Sequence, residues 1–282
     1  MVSRLERAVI LLLRFLTYLV LFITLWIIID LIIGGIPAIN WQFLSHNPED
    51  SGASGGIFPA LIGTVYLILG TACFAFPVGV GTAVFLTEYA RDGKLTLWIR
   101  RSILTLAGIP SIVYGLFGMG FFVIFLKMGT SVLAGSLTLG CMILPIIIVA
   151  TEEALKAVPN SLREGSIALG VSKWDTIWHN VLPYALPGIL TGGILGISRA
   201  AGETAPILLT AAAFYLPELP RTVFDPVMAL PYHLFILATQ HPDGSAIRPM
   251  QYGTALVLLI LVSSMNCVAI YIRYYLRRRI QW

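Results

Sequence analysis

The chain alternates long apolar runs with shorter polar segments. Six runs approach or exceed the roughly 20 mostly apolar residues that a helix needs to cross a bilayer. They cover residues 10–34, 61–85, 103–126, 132–151, 186–209 and 253–275. A membrane-spanning strand needs only about 10 residues, so runs of this length favour helices over a barrel. The pattern therefore predicts an all-α membrane protein with six transmembrane helices.

Composition and charge agree with this prediction and add an orientation. Only 11% of the residues are charged, whereas a soluble domain carries about a quarter charged residues. Lys and Arg gather at both chain ends and in every second connection, for example at Arg4, Arg100, Lys156 and Arg277. The positive-inside rule then predicts that both termini are cytoplasmic. The excess of positive charge is thereby explained, and no nucleic-acid partner is expected.

The runs also divide the chain. We expect an N-terminal helix with an external loop at 1–56, a transmembrane core at 57–276 and a basic cytoplasmic tail at 277–282. The longest external connection, 210–252, contains six prolines. It is either a contact for an external partner or a solvated cap over the bundle. Within it, PVMALPYHLFILATQ predicts a short helix on the membrane surface.

The sequence carries no signature of catalysis or metal binding. Cys73, Cys141 and Cys267 are scattered in apolar runs without metal-ligand spacing, so we interpret them as buried small hydrophobic residues. We find no P-loop, zinc-protease motif or nucleophile elbow. We therefore expect no catalytic residue, no metal and no cofactor bound by this chain.

Two charges interrupt the fifth apolar run. Arg199 and Glu203 lie four residues apart, and Thr204 follows them. An arginine in a bilayer costs about 2.5–3.5 kcal/mol on insertion scales and usually marks a pathway. Its planar donors suit the oxygens of an anion, and Glu203 can replace the anion when it leaves. The alternative is a structural salt bridge that joins two helices and never touches substrate.

The same run carries a stripe of small residues. Gly188, Gly192 and Gly196 repeat every four residues, which lets another helix backbone approach closely. Arg199 borders this stripe. We therefore place the substrate pathway, with Arg199, Glu203 and Thr204, where this helix meets its neighbours.

The connection 152–183 has helical periodicity on both sides of Gly170. Glycine turns there without steric cost, so the pattern predicts two short amphipathic helices joined at Gly170. Basic residues are few in the segment, so attraction to anionic lipid is weak. A groove on a protein partner is favoured over an interfacial helix on lipid.

This connection resembles the EAA loop of ABC importer permeases. The family pattern is Glu-Ala-Ala, three residues, Gly, nine residues, then Ile-x-Leu-Pro. Here Glu164-Gly165-Ser166, Gly170 and Asn180-Val181-Leu182-Pro183 keep that spacing throughout. Gly165 and Ser166 replace the alanines, and Asn180 replaces the isoleucine.

Other blocks narrow the resemblance. GGIFPALIGTVYLIL, LAGIPSIVYGLFG and LPGILTGGILGISRAAGETAP are similar to segments of the phosphate-specific ABC importer permeases. The likeness extends over about residues 41–238. It implies a type I ABC importer permease fold in a bacterial inner membrane. It also implies that the chain translocates inorganic phosphate and leaves ATP hydrolysis to a partner.

The resemblance further implies partners and residue roles. The partners are a second related permease subunit, two copies of an ABC ATPase subunit and an external phosphate-binding protein. Within the EAA loop, a coupling helix that docks into the ATPase would include Arg163, Glu164, Gly165, Ser166, Gly170, Leu182 and Pro183. Three alternatives stay open: a permease for molybdate or sulfate, an anion transporter without an ATPase, and a membrane-embedded enzyme.

Overall fold

The computed structural model describes residues 4–49, 54–91, 93–240 and 247–279, and these residues are mostly helical. The helices are α1 (Arg4–Gly35), α2 (Trp41–Ser45), α3 (Phe58–Val84), α4 (Lys94–Leu106), α5 (Ser111–Gly118), α6 (Val132–Lys156), α7 (Asn160–Ala168), α8 (Lys173–Asp175), α9 (Leu182–Gly202), α10 (Ala205–Leu208), α11 (Leu230–Thr239) and α12 (Arg248–Arg279). A 3₁₀ turn, Ile36–Ala38, follows α1. Two short antiparallel strands, β1 (Pro48–Glu49) and β2 (Ser54–Gly55), lie before α3.

Three π-helical turns extend these helices. Phe85–Tyr89 continues α3, Met119–Phe125 continues α5, and Thr176–Val181 joins α8 to α9. The last of these makes Lys173–Gly202 one continuous apolar helix. Pro183 has no N–H, and its ring crowds the carbonyl four residues earlier. The π turn that precedes Pro183 is wider than an α-helical turn and relieves the steric clash with that carbonyl.

The number of spans agrees with the prediction of six when a bent helix pair is counted as one span. Within the described residues, five helical segments are long and apolar enough to cross a bilayer. The five are Ala8–Ala38, Phe58–Tyr89, Val132–Lys156, Lys173–Gly202 and Arg248–Tyr275. α12 continues to Arg279, into the predicted tail, and residues 280–282 lie outside the described residues.

The third predicted span is wrong as a single helix. Residues 103–126 are split between α4 and the segment Ser111–Phe125, which meet at 104°. Gly108 and Pro110 cause the break, because proline lacks an N–H and disfavours a helical residue before it. The hydroxyl of Tyr114 donates to the carbonyl oxygen of Leu106 at 2.9 Å, which pairs a carbonyl at the end of α4.

The fifth span is also placed differently from the prediction of 186–209. Its helix begins at Lys173 and ends at Gly202. Glu203 then has extended backbone angles, φ −82° and ψ 129°. Pro206 cannot donate to the carbonyl of Gly202, and its ring crowds that carbonyl, which favours an end of the helix before Glu203. The short α10 starts beyond this break.

The centre of the bundle is α6, which packs between α3 and α9. Ile143 and Ile147 of α6 are fully buried. α12 packs on α9, while α1 contacts the rest of the bundle mainly through α12. Gly34 of α1 lies against the ring of Tyr252, and the Tyr252 hydroxyl is 2.9 Å from a carboxylate oxygen of Asp30.

The end of the bundle opposite the connection 152–183, here called the far end, carries a packed cap. Its apolar core joins Phe43 and Ile57 to Met228 and Leu237. The short helix predicted in this connection is present as α11, and its residues Leu230, His233 and Leu237 are buried in the protein. The backbone N–H of Leu230 donates to Thr64 Oγ1 of α3 at 2.8 Å, which anchors α11 to the bundle.

Candidate functional site: a charged helix break and the connection 152–183

Arg199 and Glu203 form an ion pair at the end of α9. Arg199 Nε lies 3.4 Å from Glu203 Oε1. The side chain of Arg199 is 50% exposed and that of Glu203 is 21% exposed. Arg199 is in the last turn of α9, where the helix dipole favours a cation. The pair is therefore a charged, accessible spot on a helix of membrane-spanning length.

The neighbouring face of α9 is packed. Ser198, Ala200 and Ala201 are all buried. Thr204 begins α10, and its side chain caps no N–H of that helix. α10 lies on α5, where a Cβ added at Gly115 would come within 2.9 Å of the carbonyl oxygen of Ala205. The helix break therefore lies where α5, α6 and α9 meet.

The small-residue stripe of α9 faces α6. A Cβ at Gly188 would lie 2.6 Å from Cβ of Ala154, and one at Gly192 would overlap Ala150. A Cβ at Gly196 would have room, since its nearest neighbour, Ile147, is 3.5 Å away. Close packing thus requires glycine at the first two positions. This packing fixes the position of Arg199 along the axis of α6.

In the connection 152–183, Gly170 has φ +83° and ends α7. Its N–H donates to the carbonyl of Ile167 at 2.9 Å, and that of Val171 to Ser166 at 3.3 Å. This is a Schellman motif, which usually takes glycine at the left-handed position. Two helices do meet at Gly170, but the second one is not short, because it continues as α9.

Arg163 points away from solvent. Its Nη2 donates to Glu88 Oε1 at 2.8 Å and to the carbonyl of Leu155 at 2.8 Å. Its Nη1 donates to the carbonyl of Val158 at 2.7 Å. The side chain of Glu88 is 7% exposed. Arg163 therefore ties α7 to the ends of α3 and α6.

The other residues predicted for this segment divide into two groups. Glu164, Gly165 and Pro183 are exposed, whereas Ser166 is buried and Leu182 is half-buried. Large apolar side chains are also exposed here, notably Leu169, which is 86% exposed. The rings of Trp174 and Trp178 stack at 5.7 Å on the exposed side of the following helix. The segment thus presents an apolar face to its surroundings.

Sequence reasoning missed the ion pairs that support this segment. Glu88 and Arg163 are 75 residues apart, and no periodicity links them. Arg100 Nη1 lies 3.1 Å from Glu152 Oε2, which joins α4 to α6. The available signal was an acidic residue directly after an apolar run, as at Glu152, which indicates a partner without identifying it.

Comparison with known proteins fits this architecture. Residues 75–282 match the family described as "Binding-protein-dependent transport system inner membrane component". The chain belongs to this family of transport permeases. No group of three or more potential metal-ligating side chains occurs in the described parts of this permease.

Individual relatives cover most of the permease. The probable ABC transporter permease protein YqgI of Bacillus subtilis is 36% identical over 253 residues, 85% of each chain. The phosphate transport system permease protein PstA 1 of Mycobacterium tuberculosis H37Rv is 39% identical, covering 80% of this chain and 72% of that protein. PstA 2 of Mycobacterium bovis is 36% identical, covering 91% and 83%.

Solved structures share the fold at low sequence identity. A chain of the inward-facing MetNI methionine ABC transporter aligns with a TM-score of 0.63 and 18% identity, covering 78% of this chain and 97% of that one. A bacterial ABC transporter that imports alginate aligns with a TM-score of 0.67 and 12% identity, covering 98% and 96%. The predicted fold, that of a type I ABC importer permease, is thereby confirmed. The permease is a multi-pass protein of the inner membrane.

Proposed function

We propose that this permease translocates inorganic phosphate into the cell as a subunit of an ATP-driven importer. Relatives 36–39% identical over most of the chain are named phosphate transport system permeases. The structural observation that carries the proposal is the accessible Arg199–Glu203 pair on a span. Lipid cannot stabilise such a pair, so its exposed side faces water, substrate or another subunit.

Arg199 is the proposed anion contact. A phosphate ion that leaves water needs compensating positive charge, and the arginine fork matches its oxygens. An isolated arginine would hold the ion too well for conduction, which requires weak binding. Glu203, 3.4 Å from Arg199 Nε, competes for the guanidinium and weakens that hold. Thr204 adjoins the pair at the start of α10 and supplies a hydroxyl to the same pathway.

The connection 152–183 is the proposed contact for the ATPase. Its exposed face carries Leu169, Ile167 and Glu164. On the opposite side, Arg163 binds Glu88 of the π turn that continues α3. An apolar face on a short helix suits a groove of a protein partner. This role puts the connection and both termini in the cytoplasm, in line with the basic residues of the sequence.

The remaining partners follow from this assignment. We include a second permease subunit, which would cover the exposed side of Arg199, and two copies of the ATPase. The far-end cap, with its ordered core around Phe43 and Met228, is the surface offered to an external phosphate-binding protein. The division at 1–56, 57–276 and 277–282 is kept as part of the proposal.

Uptake of radiolabelled phosphate at low external concentration tests this function. Cells are compared with and without the chain, and excess molybdate or sulfate is added as competitor. We expect uptake to be lost without the chain and unaffected by either competitor. Unchanged uptake without the chain, or strong inhibition by molybdate or sulfate, would contradict phosphate as the substrate.

A further inference from the structure

Three polar side chains between α7 and the following helix form a network. Asn180 Nδ2 donates to Ser166 Oγ at 2.9 Å. The hydroxyl oxygens of Ser166 and Thr176 are 3.0 Å apart, and either can donate. Ser166 is 7% exposed and Thr176 is 2% exposed, while Asn180 is half-buried. The two buried hydroxyls thus pair with each other, and Asn180 joins them from the partly exposed side.

Two members of the network are the residues that replace alanine and isoleucine in the EAA pattern. Ser166 occupies the second alanine position, and Asn180 occupies the isoleucine position. An alanine–isoleucine contact would be apolar and therefore non-directional. Hydrogen bonds between buried groups set both distance and angle. The two replacements are complementary, because each supplies the partner that the other needs when buried.

The network lies at the base of the helix that carries Arg199. Asn180 and Thr176 belong to the π turn Thr176–Val181, which is part of the continuous helix Lys173–Gly202. α7 has a second attachment through Arg163 to Glu88 of the α3 extension. α7 is therefore attached both to the extension of α3 and to the helix that bears Arg199.

We propose that Ser166, Thr176 and Asn180 are positioning residues that hold α7 at a fixed angle on the helix Lys173–Gly202. They transmit the movement of a bound ATPase to Arg199, so that ATP hydrolysis and phosphate movement stay coupled. This inference rests on the proposed function of the connection 152–183.

The test uses the complete transporter in liposomes, with phosphate transported per ATP hydrolysed as the readout. Asn180→Ile removes the amide that donates to Ser166 Oγ and places an alkyl chain beside that hydroxyl, and we expect the ratio to fall about tenfold. The triple variant Ser166→Ala/Thr176→Val/Asn180→Ile replaces the whole polar network by apolar side chains, and we expect the ratio to return to within about twofold of the original. Ser161→Ala, on the exposed side of the same helix, is the matched control and should change nothing.

A second readout does not depend on the substrate. Spin labels at Glu164 and Leu186, both exposed, report the distance between α7 and α9. We expect a narrow distance distribution in the unaltered protein and in the triple variant, and a broad one in Asn180→Ile.

The outcomes separate the two proposals. An unchanged transport ratio in Asn180→Ile, or a triple variant as poor as the single one, would overturn the positioning role. Unchanged distance distributions in all variants would overturn it as well. Failure of the unaltered transporter to move phosphate would remove the proposed function instead, and the distance measurement would still decide whether the network holds α7.

Discussion

At the residue scale, two glycines with free space around them differ in backbone conformation. Gly165 and Gly170 have no heavy atom of the described structure within 4 Å of an added Cβ. Only Gly170 has a positive φ, +83°. A side chain at Gly170 is therefore disfavoured by the backbone alone, whereas one at Gly165, inside α7, is not.

Gly170→Ala should destabilise the turn by about 1–2 kcal/mol, the cost of a left-handed residue. Gly165→Ala, the matched control, should stabilise α7 by up to about 1 kcal/mol, because alanine favours helix over glycine. Amide hydrogen exchange over residues 160–171 measures both effects. The expected result is faster exchange in the first variant and slower exchange in the second; equal changes would refute the turn as the cause.

Single residues also show what the sequence could predict. The turn at Gly170 was predictable, because Gly170 lies between two amphipathic patterns and glycine adopts a turn without steric cost. The contact between Arg163 and Glu88 was not, since local patterns carry no information about partners 75 residues apart. The hydrogen bond from Asn180 to Ser166 was hidden for the same reason, although both residues stood out as replacements in the EAA pattern.

At the scale of elements, the close contact of α6 and α9 depends on glycine. Gly192→Ala should overpack this contact and cost about 1–3 kcal/mol, because its Cβ would overlap that of Ala150. Adding Ala150→Gly removes the overlap and should restore most of the stability. Thermal unfolding in detergent measures the change.

A control variant is available on the same helix. Gly202→Ala places its Cβ where no described heavy atom lies within 4 Å, so no overpacking is expected. Equal loss of stability in Gly192→Ala and Gly202→Ala would show that helix contact is not the cause. A double variant no better than Gly192→Ala would lead to the same conclusion.

The boundaries of elements were less predictable than their number. Hydrophobic runs fix the number of spans, because each must match the bilayer thickness. They do not fix where a helix bends. The 104° break lies at residues 107–110, and the sequence is apolar on both sides of it. The start of the fifth helix at Lys173 was not predicted, because a proline such as Pro183 usually lies at the start of a helix. Here a π turn precedes Pro183, and the helix begins ten residues earlier.

At the scale of the whole molecule, the far-end cap contains a buried titratable group. His233 of α11 is 3% exposed, and its Nε2 has no hydrogen-bond partner among the described residues. Burial lowers the pKa of His233 from 6.5 to about 4. The folded protein therefore holds this side chain neutral under conditions in which the unfolded chain binds a proton.

The stability of the cap should consequently depend on pH. Between pH 6.5 and about 4 the unfolded chain binds more protons at this site than the folded one, so stability falls as pH falls through this window. The thermal midpoint of the detergent-solubilised protein should decrease over that window, and His233→Phe should flatten the decrease. His46→Gln, at an exposed position, is the control. An identical pH profile in His233→Phe and the unaltered protein would contradict the assignment.

A continuous helix joins an exposed apolar face at one end of the molecule to a charged pair near its other end. Arg199 is the residue on which the proposed transport depends. Arg14 offers a control, because it is exposed on α1, which contacts the rest of the bundle mainly through α12.

The most direct test is phosphate uptake by cells whose only copy of this chain carries Arg199→Gln, compared with Arg14→Gln. Membrane content of the permease and its bound ATPase is measured in parallel. We expect that Arg199→Gln abolishes uptake while the complex still assembles, and that Arg14→Gln transports normally. Normal uptake by Arg199→Gln would contradict the assignment of Arg199 to the phosphate pathway.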